Sequence, residues 1–157
     1  MKSKSFFTTN LAILIMMMAF SSSSFSQYSI EGLKQKYDKQ EVYITMRDGV
    51  RLFTSIYTPK NTSVTHPVLL NRTPYNIEPG GPDNFRFNLV PYGRYTEEEY
   101  IMVFQDVRGK YMSEGVFEDI RPVIPEKKSN KDIDETTDTW DTVDWLIKNV
   151  KNNNCKV

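Results

Sequence analysis

Residues 43–52 read YITMRDGVRL and carry the clearest structural signal in the chain. Val42, Ile44 and Met46 alternate with polar residues, as expected for a strand with one buried face. Asp48-Gly49 follows, and an Asp-Gly pair between two such runs is the strongest short-range signal for a β-hairpin. The run LFTSIY, residues 52–57, supplies the second strand. The sequence therefore predicts an antiparallel hairpin, and the segment 58–63 after it is predicted to be a loop because Pro59 cannot donate to a ladder.

Two further apolar runs predict buried strands. Residues 67–70 (PVLL) and 100–104 (YIMVF) are short and continuous, the pattern of a strand at the centre of a sheet. A helix is expected to close at residues 97–100, just before the second run. Residues 29–39 predict either a short helix or an extended lead-in.

A second helix is predicted to follow residue 138. Asp138 is suited to cap it, and the polar stretch 126–138 before it is expected to be a loop. Four apolar residues share one face at helical spacing: Trp140, Val143, Ile147 and Val150. A hairpin that leads into alternating strands and helices favours a mixed α/β sheet.

Composition excludes several classes of function. The chain has 157 residues, with 20 Lys and Arg against 20 Asp and Glu. Zero net charge argues against nucleic acid as a partner, because phosphate binding needs a basic excess. The single cysteine, Cys155, and the single histidine, His66, cannot build a zinc site. We therefore expect neither a metal nor another cofactor.

The first 26 residues have the layout of a secretory signal peptide. Lys2 and Lys4 precede an apolar run at residues 11–20, and small serines follow. The apolar run is too short to span a bilayer, which needs about 20 residues. We expect cleavage between Ser26 and Gln27, export to the periplasm or medium, and no membrane attachment afterwards. Residues 27–40 would then form a lead-in, and residues 41–157 the folded domain.

Residues 43–52 also resemble the opening hairpin of the Xaa-Pro dipeptidyl-peptidase-like family, which includes cocaine esterase and the α-amino-acid ester hydrolases. Further blocks follow in the family's order, and their residues are most similar to those of the α-amino-acid ester hydrolase branch. These blocks are Arg72-Thr-Pro-Tyr75, Gln105-Asp-Val-Arg-Gly109, Ser113-Glu-Gly-Val-Phe117 and a helix with Trp140, Asp141 and Trp145.

The resemblance implies an α/β-hydrolase fold and a serine hydrolase acting on small-molecule or peptide esters and amides. Such enzymes place the nucleophile in a G-x-S-x-G turn and use an acid and a histidine that follow it. No G-x-S-x-G occurs in these 157 residues. Residues 154–157 resemble the start of the strand that leads to this turn, although Cys155 stands where the family has glycine. We expect an N-terminal portion of the catalytic domain that is inactive alone.

Tyr75 is the residue for which the resemblance implies a catalytic role, as a hydroxyl donor to the oxyanion of the transition state. Spacing alone favours the alternative, a loop tyrosine packed on the Gly/Pro-rich segment 78–82. Asp106 and Arg108 directly follow a buried strand. We favour an ion pair between them that supports the site over direct substrate contact. Glu114 is similarly expected to cap backbone N–H groups rather than touch substrate.

Three other features are interpreted as structural. His66 precedes the first buried strand, whereas the base of this fold comes last in the chain. Cys155 is expected to be a half-buried thiol. The acidic stretch 132–138 lacks the glycine and final glutamate of a calcium loop, which favours a solvated acidic face. The alternative to a hydrolase is a periplasmic binding or interaction domain that reuses the front half of the fold without catalysis.

Overall fold

The computed structural model describes residues 29–78, 80–86 and 93–157. These residues contain three helices and four strands. Their order is α1 (Ile30–Lys36), β1 (Tyr37–Thr45), β2 (Arg51–Pro59), β3 (Val68–Thr73), α2 (Gly93–Glu97), β4 (Ile101–Asp106) and α3 (Glu135–Asn149). The predicted signal peptide, residues 1–26, lies outside the described residues. Among the described helices, none has the length and apolarity needed to cross a bilayer.

The predicted hairpin is confirmed. β1 and β2 pair antiparallel from Tyr37↔Pro59 to Thr45↔Arg51, and Gly49 adopts φ +91° in the turn. Residues 29–39 were predicted to form either a short helix or an extended lead-in, and they contain both a helix and a strand. Ser29 caps α1, and β1 begins directly after that helix. β2 also runs on through Pro59, where the sequence predicted a loop. Pro59 is tolerated there because it is the last residue of the ladder.

β4 is one of the two inner strands of the described sheet, whose order is β1-β2-β4-β3. All six residues of β4 are buried, as predicted. It pairs antiparallel with β2 and parallel with β3, in register from Val68↔Ile101 to Thr73↔Asp106. β3 was predicted to be a sheet-centre strand, but only Val68 is fully buried in it. β3 is less buried because it lies at the end of the described strand order.

Residues 152–156 lie alongside the start of β3, and residues 154–157 were predicted to begin a strand. The His66 N–H donates to the Asn152 carbonyl at 2.7 Å, and the Val68 N–H donates to the Lys156 carbonyl at 2.8 Å. His66 and Asn153 form an isolated parallel bridge. The segment therefore runs parallel to β3 but forms only this bridge and not a strand.

The sheet has an apolar core on each face. One core lies beneath α3, and the other lies beneath α1 and the loop around residues 77–85. The first contains Ile44, Met46, Leu52, Ile56, Val68, Ile101, Val103, Leu146 and Val150. The second contains Leu33, Tyr37, Tyr57, Ile77, Phe85, Met102 and Phe104. Burial on both faces explains why β4 reads as a continuous apolar run.

Two predictions about α3 were wrong. The helix begins at Glu135 with Asp134 as its N-cap, so Asp138 lies inside the helix and is buried. Trp140 was placed on the buried face but is 69% exposed. The fully buried stripe instead follows a spacing of four residues through Asp138, Thr142, Leu146 and Val150. Asp138 sets this rotation of the helix because it pairs with Arg108, a buried arginine in the loop after β4.

The Asp134 cap predicts a stability that depends on pH. Burial alone would raise the pKa of Asp134, but Lys127, Thr136 and the N–H groups of Ile124 and Thr137 outweigh it and hold the pKa well below its usual range. A depressed pKa stabilises the fold above the unfolded-state pKa of about 4, and this contribution is lost as the pH falls. Asp134→Asn is expected to lower the free energy of unfolding at neutral pH by about 1–2 kcal/mol.

Urea unfolding near pH 7 and near pH 3 measures this effect. The difference between the parent and Asp134→Asn should shrink at the lower pH, because the Asp134 carboxyl of the unfolded parent is then protonated and this proton uptake favours unfolding. Exposed Asp83 provides the control, and Asp83→Asn should change stability at neither pH. An equal difference at both pH values would contradict the role of the Asp134 charge.

Candidate active site

The carboxyl ends of β3 and β4 lie side by side, and the candidate site is built there. Thr73 and Asp106 are the last register pair of these parallel strands, and the Val107 N–H donates to the Thr73 carbonyl at 3.1 Å. The loops after both strands therefore start from neighbouring points. This is the edge at which ligands bind in open α/β sheets.

Tyr75 stands on the turn that follows β3. Pro74 fixes its own φ and favours an extended Thr73, while the Tyr75 N–H donates to the Thr73 hydroxyl at 3.1 Å. Asn76 takes a left-handed φ of +68°. The ring of Tyr75 is 84% exposed. It is therefore not packed on the Gly/Pro-rich segment, and its hydroxyl is available to a ligand.

Asp106 is completely buried between the two loops. Its carboxylate accepts the Ile77 N–H at 3.1 Å and the Met112 N–H at 3.4 Å, and its carbonyl accepts the Ser113 hydroxyl at 2.6 Å. Burial raises the pKa of Asp106, and the two backbone N–H groups oppose that rise. Asp106 thus ties the loop that carries Tyr75 to the loop that follows β4.

The predicted ion pair between Asp106 and Arg108 is not formed. Arg108 is 4% exposed and instead pairs with Asp138 of α3 at 2.7 Å and with Asp48 of the hairpin turn at 2.8 Å. Burial would lower the pKa of Arg108, but these two carboxylates outweigh it and raise the pKa further. Arg108 supports the site by joining the hairpin, the loop after β4 and α3.

Arg72 is a supporting residue that the sequence analysis missed. It is the last residue but one of β3, and its guanidinium donates to Gln105 at 2.8 Å and pairs with Glu135 at 2.9 Å. Gln105 in turn donates to Thr54 and Thr142, both at 3.0 Å. A polar layer therefore holds α3 onto the sheet directly beneath the site. The only signal for it was that Arg72 opens the same block as Tyr75.

Glu114 behaves as the sequence predicted. Its carboxylate accepts the Arg51 N–H at 3.0 Å and also pairs with the Arg51 guanidinium. The pKa of Glu114 is lowered, and the largest cause is the hydrogen bond from the Arg51 side chain. This pair ties the loop after β4 to the start of β2.

Gly109 is needed where the loop after β4 folds back on itself. Its φ is +71°, and a Cβ there would lie 2.1 Å from the backbone nitrogen of Phe117. Gly109→Ala is expected to destabilise the protein by about 2–5 kcal/mol, since left-handed strain and a backbone clash add. At Gly49 the φ is also left-handed, at +91°, but a Cβ would meet nothing within 4 Å. Gly49→Ala therefore measures the backbone strain without the clash, and we expect a loss of about 1–2 kcal/mol.

The control is Gly80→Ala, because a Cβ at Gly80 meets nothing within 4 Å and its φ is not left-handed. Urea unfolding should rank the variants Gly80→Ala, Gly49→Ala and Gly109→Ala in order of increasing loss. Equal losses at Gly49 and Gly109 would show that the loop does not approach Phe117 as closely as described.

His66 and Cys155 lie away from this edge, near the start of β3. His66 precedes β3 and is buried, with Nε2 2.8 Å from the Asn61 carbonyl, rather than in a solvated loop. Cys155 is exposed, not half-buried. Asp134 and Asp138 are buried, so the acidic stretch is only partly solvated. Within the described ranges, no group of three or more His, Cys, Asp or Glu side chains is arranged to hold a metal ion.

The geometry of this edge can be compared with known proteins. Residues 48–157 match the family model described as X-Pro dipeptidyl-peptidase (S15 family). Cocaine esterase from Rhodococcus sp. (strain MB1 Bresler) is 30% identical over 114 aligned residues, which cover 68% of this chain and 16% of the esterase.

Two solved structures have a similar fold. A selenomethionine-labelled alpha-amino acid ester hydrolase superposes with a TM-score of 0.62 at 44% identity, covering 78% of this chain and 20% of that one. An aminopeptidase from a marine sediment Thaumarchaeota archaeon gives a TM-score of 0.63 at 37% identity, covering 76% and 20%.

The chain thus spans about a fifth or less of the length of these relatives. Its mixed sheet corresponds to the N-terminal part of an α/β-hydrolase-like fold. The family match covers residues 48–157, which include the hairpin turn, both strands of the site and α3. On this match, the chain belongs to the X-Pro dipeptidyl-peptidase (S15) family of hydrolases.

Proposed function

We propose that this chain is the front part of the catalytic domain of an exported serine hydrolase that cleaves esters or amides of amino acids or short peptides. The observation that carries the proposal is an exposed Tyr75, held on a stiffened turn where the carboxyl ends of β3 and β4 meet. The relatives support the substrate class, since their names describe an esterase, an amino acid ester hydrolase and an aminopeptidase.

Tyr75 acts as a donor to the oxyanion in this proposal. Attack on an ester or amide carbonyl places negative charge on the carbonyl oxygen, and a preorganised donor aimed at that oxygen lowers the barrier. The phenolic hydroxyl donates one hydrogen bond to it. The second donor is the backbone N–H after the nucleophilic serine, as in other hydrolases of this fold.

Asp106 and Arg108 position this donor without touching the substrate. The Asp106 carboxylate accepts a hydrogen bond from the Ile77 N–H, two residues beyond Tyr75. This bond fixes the turn beside the end of β4. Arg108 braces the neighbouring loop against α3 and the hairpin. Both are buried beneath the site, which favours the supporting role over substrate contact.

The nucleophile, acid and base lie outside these 157 residues in this proposal. The chain has no G-x-S-x-G, and its single histidine, His66, is buried at the opposite end of β3 from Tyr75. An oxyanion donor without a nucleophile and a base has no reaction to accelerate. Residues 1–157 alone should therefore hydrolyse p-nitrophenyl esters no faster than buffer.

Reading the coding sequence beyond codon 157 tests the proposal. An in-frame G-x-S-x-G within about ten codons supports the hydrolase, because the nucleophile strand of this fold leads directly into that turn. A stop codon with no such motif in any frame contradicts it. That result would favour the non-catalytic binding or interaction domain instead.

Export is part of the same proposal and has its own test. The mature protein should begin at Gln27, because Lys2, Lys4 and the apolar run at residues 11–20 have the order of a signal peptide. Mass analysis of the N-terminus of secreted or periplasmic material measures this. A mature protein that still carries Lys2 would contradict export by this route.

A further inference from the structure

Two large apolar side chains are exposed on the loop that follows β4. Tyr111 is 59% exposed and Met112 is 55% exposed. They are the central residues of a turn closed by the Ser113 N–H, which donates to the Lys110 carbonyl at 2.9 Å. Rigid loops at the carboxyl ends of strands are where this kind of sheet carries its binding residues.

This turn is held firmly by the residues around it. The Lys110 N–H donates to the Val107 carbonyl at 3.1 Å, and the Ser113 hydroxyl both donates to the Asp106 carbonyl and accepts the Phe53 N–H. The exposure of Tyr111 and Met112 therefore belongs to an ordered turn anchored on β2 and β4. Two adjacent apolar side chains held in this way offer a small apolar surface beside the site.

Tyr111 also takes a backbone conformation that its side chain disfavours. Its φ is +46°, in the left-handed region that glycine and asparagine tolerate best. A glycine would close the same turn without strain. Residues that the surrounding structure holds in such a conformation cluster at active sites and ligand clamps.

The turn lies next to Tyr75. The buried Asp106 carboxylate accepts one N–H from Ile77, two residues after Tyr75, and one from Met112, the residue after Tyr111. The two exposed tyrosines are therefore displayed by loops that share a single carboxylate. A substrate bound by the Tyr75 hydroxyl would therefore lie beside the loop that carries Tyr111 and Met112.

We propose that Tyr111 and Met112 form an apolar wall of the substrate site and set a preference for a large apolar or aromatic group attached to the substrate carbonyl. This proposal rests on the proposed function, since it assumes that Tyr75 meets the carbonyl oxygen. The wall contacts either the acyl side chain or the alcohol side of the ester. Both are apolar groups on the same carbonyl carbon, and the experiment separates them.

The test uses Tyr111→Gly in the full-length hydrolase and four esters: glycine methyl, phenylalanine methyl, glycine benzyl and phenylalanine benzyl. We expect kcat/KM to fall about tenfold or more for the esters with an aromatic group on the contacted side, and less than about threefold for glycine methyl ester. The melting temperature should stay equal or rise, because the left-handed strain is removed. If Tyr111→Gly fails to fold, Tyr111→Asn replaces it, since asparagine tolerates this conformation.

Ile120→Gly is the matched control. Ile120 is 89% exposed and also left-handed, with φ +52°, but it lies eight residues beyond Met112, the residue that donates to the Asp106 carboxylate. It should leave the ratio between the esters unchanged. A Tyr111→Gly enzyme with the parent's ratio would refute the wall while leaving the hydrolase intact. A parent enzyme inactive on all four esters would instead contradict the proposed function.

Discussion

Replacing Tyr75 with phenylalanine should lower kcat of the full-length hydrolase by about 10²–10³, or roughly 2.7–4 kcal/mol of transition-state stabilisation. The change keeps the ring and removes only the hydroxyl. Because the ring of Tyr75 is 84% exposed, no buried packing is lost, and the fold should be unaffected. KM should change little, since the hydrogen bond to the oxyanion strengthens only in the transition state.

Tyr43→Phe is the control for this experiment. Tyr43 is a partly exposed tyrosine, at 40%, but it lies on β1 against Phe53, and β2 separates it from β4 and β3. Tyr43→Phe should leave kcat within about twofold of the parent's value. Steady-state kinetics on an amino-acid ester measure both variants. If Tyr75→Phe retains activity within a few-fold of the parent, Tyr75 is not the oxyanion donor.

The largest loss of stability is expected for Arg108→Met. Arg108 is 4% exposed, and removing its guanidinium leaves the buried Asp138 carboxylate and the Asp48 carboxylate without their principal partner. Breaking a buried ion pair from one side costs about 3–5 kcal/mol, because the remaining charge stays desolvated. For a domain stable by 5–15 kcal/mol, this is a large fraction of the total.

Urea unfolding compares this variant with Arg94→Met. Arg94 pairs with Glu98 on the surface, where its side chain is 86% exposed, so its loss should not move the unfolding midpoint. Adding Asp138→Leu to Arg108→Met should recover part of the loss, because the unpaired buried carboxylate is then removed. A midpoint for Arg108→Met equal to that of the parent would contradict the assigned network.

The elements that could be predicted from the sequence are those specified by neighbouring residues. The Asp48-Gly49 turn defines the hairpin because a left-handed glycine closes it locally. β4 is recognisable because a strand covered on both faces is apolar at every position. The site edge follows from the ends of two strands, because Tyr75 lies two residues after β3 and Asp106 is the last residue of β4.

The rotation of α3 could not be predicted from its apolar residues. Those residues favoured a face through Trp140, but the helix is oriented by Asp138, which pairs with Arg108 at 30 residues' separation. Such a pair leaves no periodic signal in the sequence. The partners of Asp106 also leave no signal in the sequence, because they are backbone N–H groups of two loops. Proximity along the chain suggested Arg108 as its partner, and that was wrong.

Labelling the full-length protein with a fluorophosphonate tests the central claim most directly. This reagent forms a bond to an activated serine, and peptide mass mapping locates that serine. We predict one labelled serine, in a G-x-S-x-G turn beyond residue 157, with loss of ester hydrolysis in proportion to labelling. A protein that hydrolyses esters while its label lies on a serine within residues 27–157, or that takes up no label, would contradict the claim that this chain supplies the oxyanion side of a serine hydrolase.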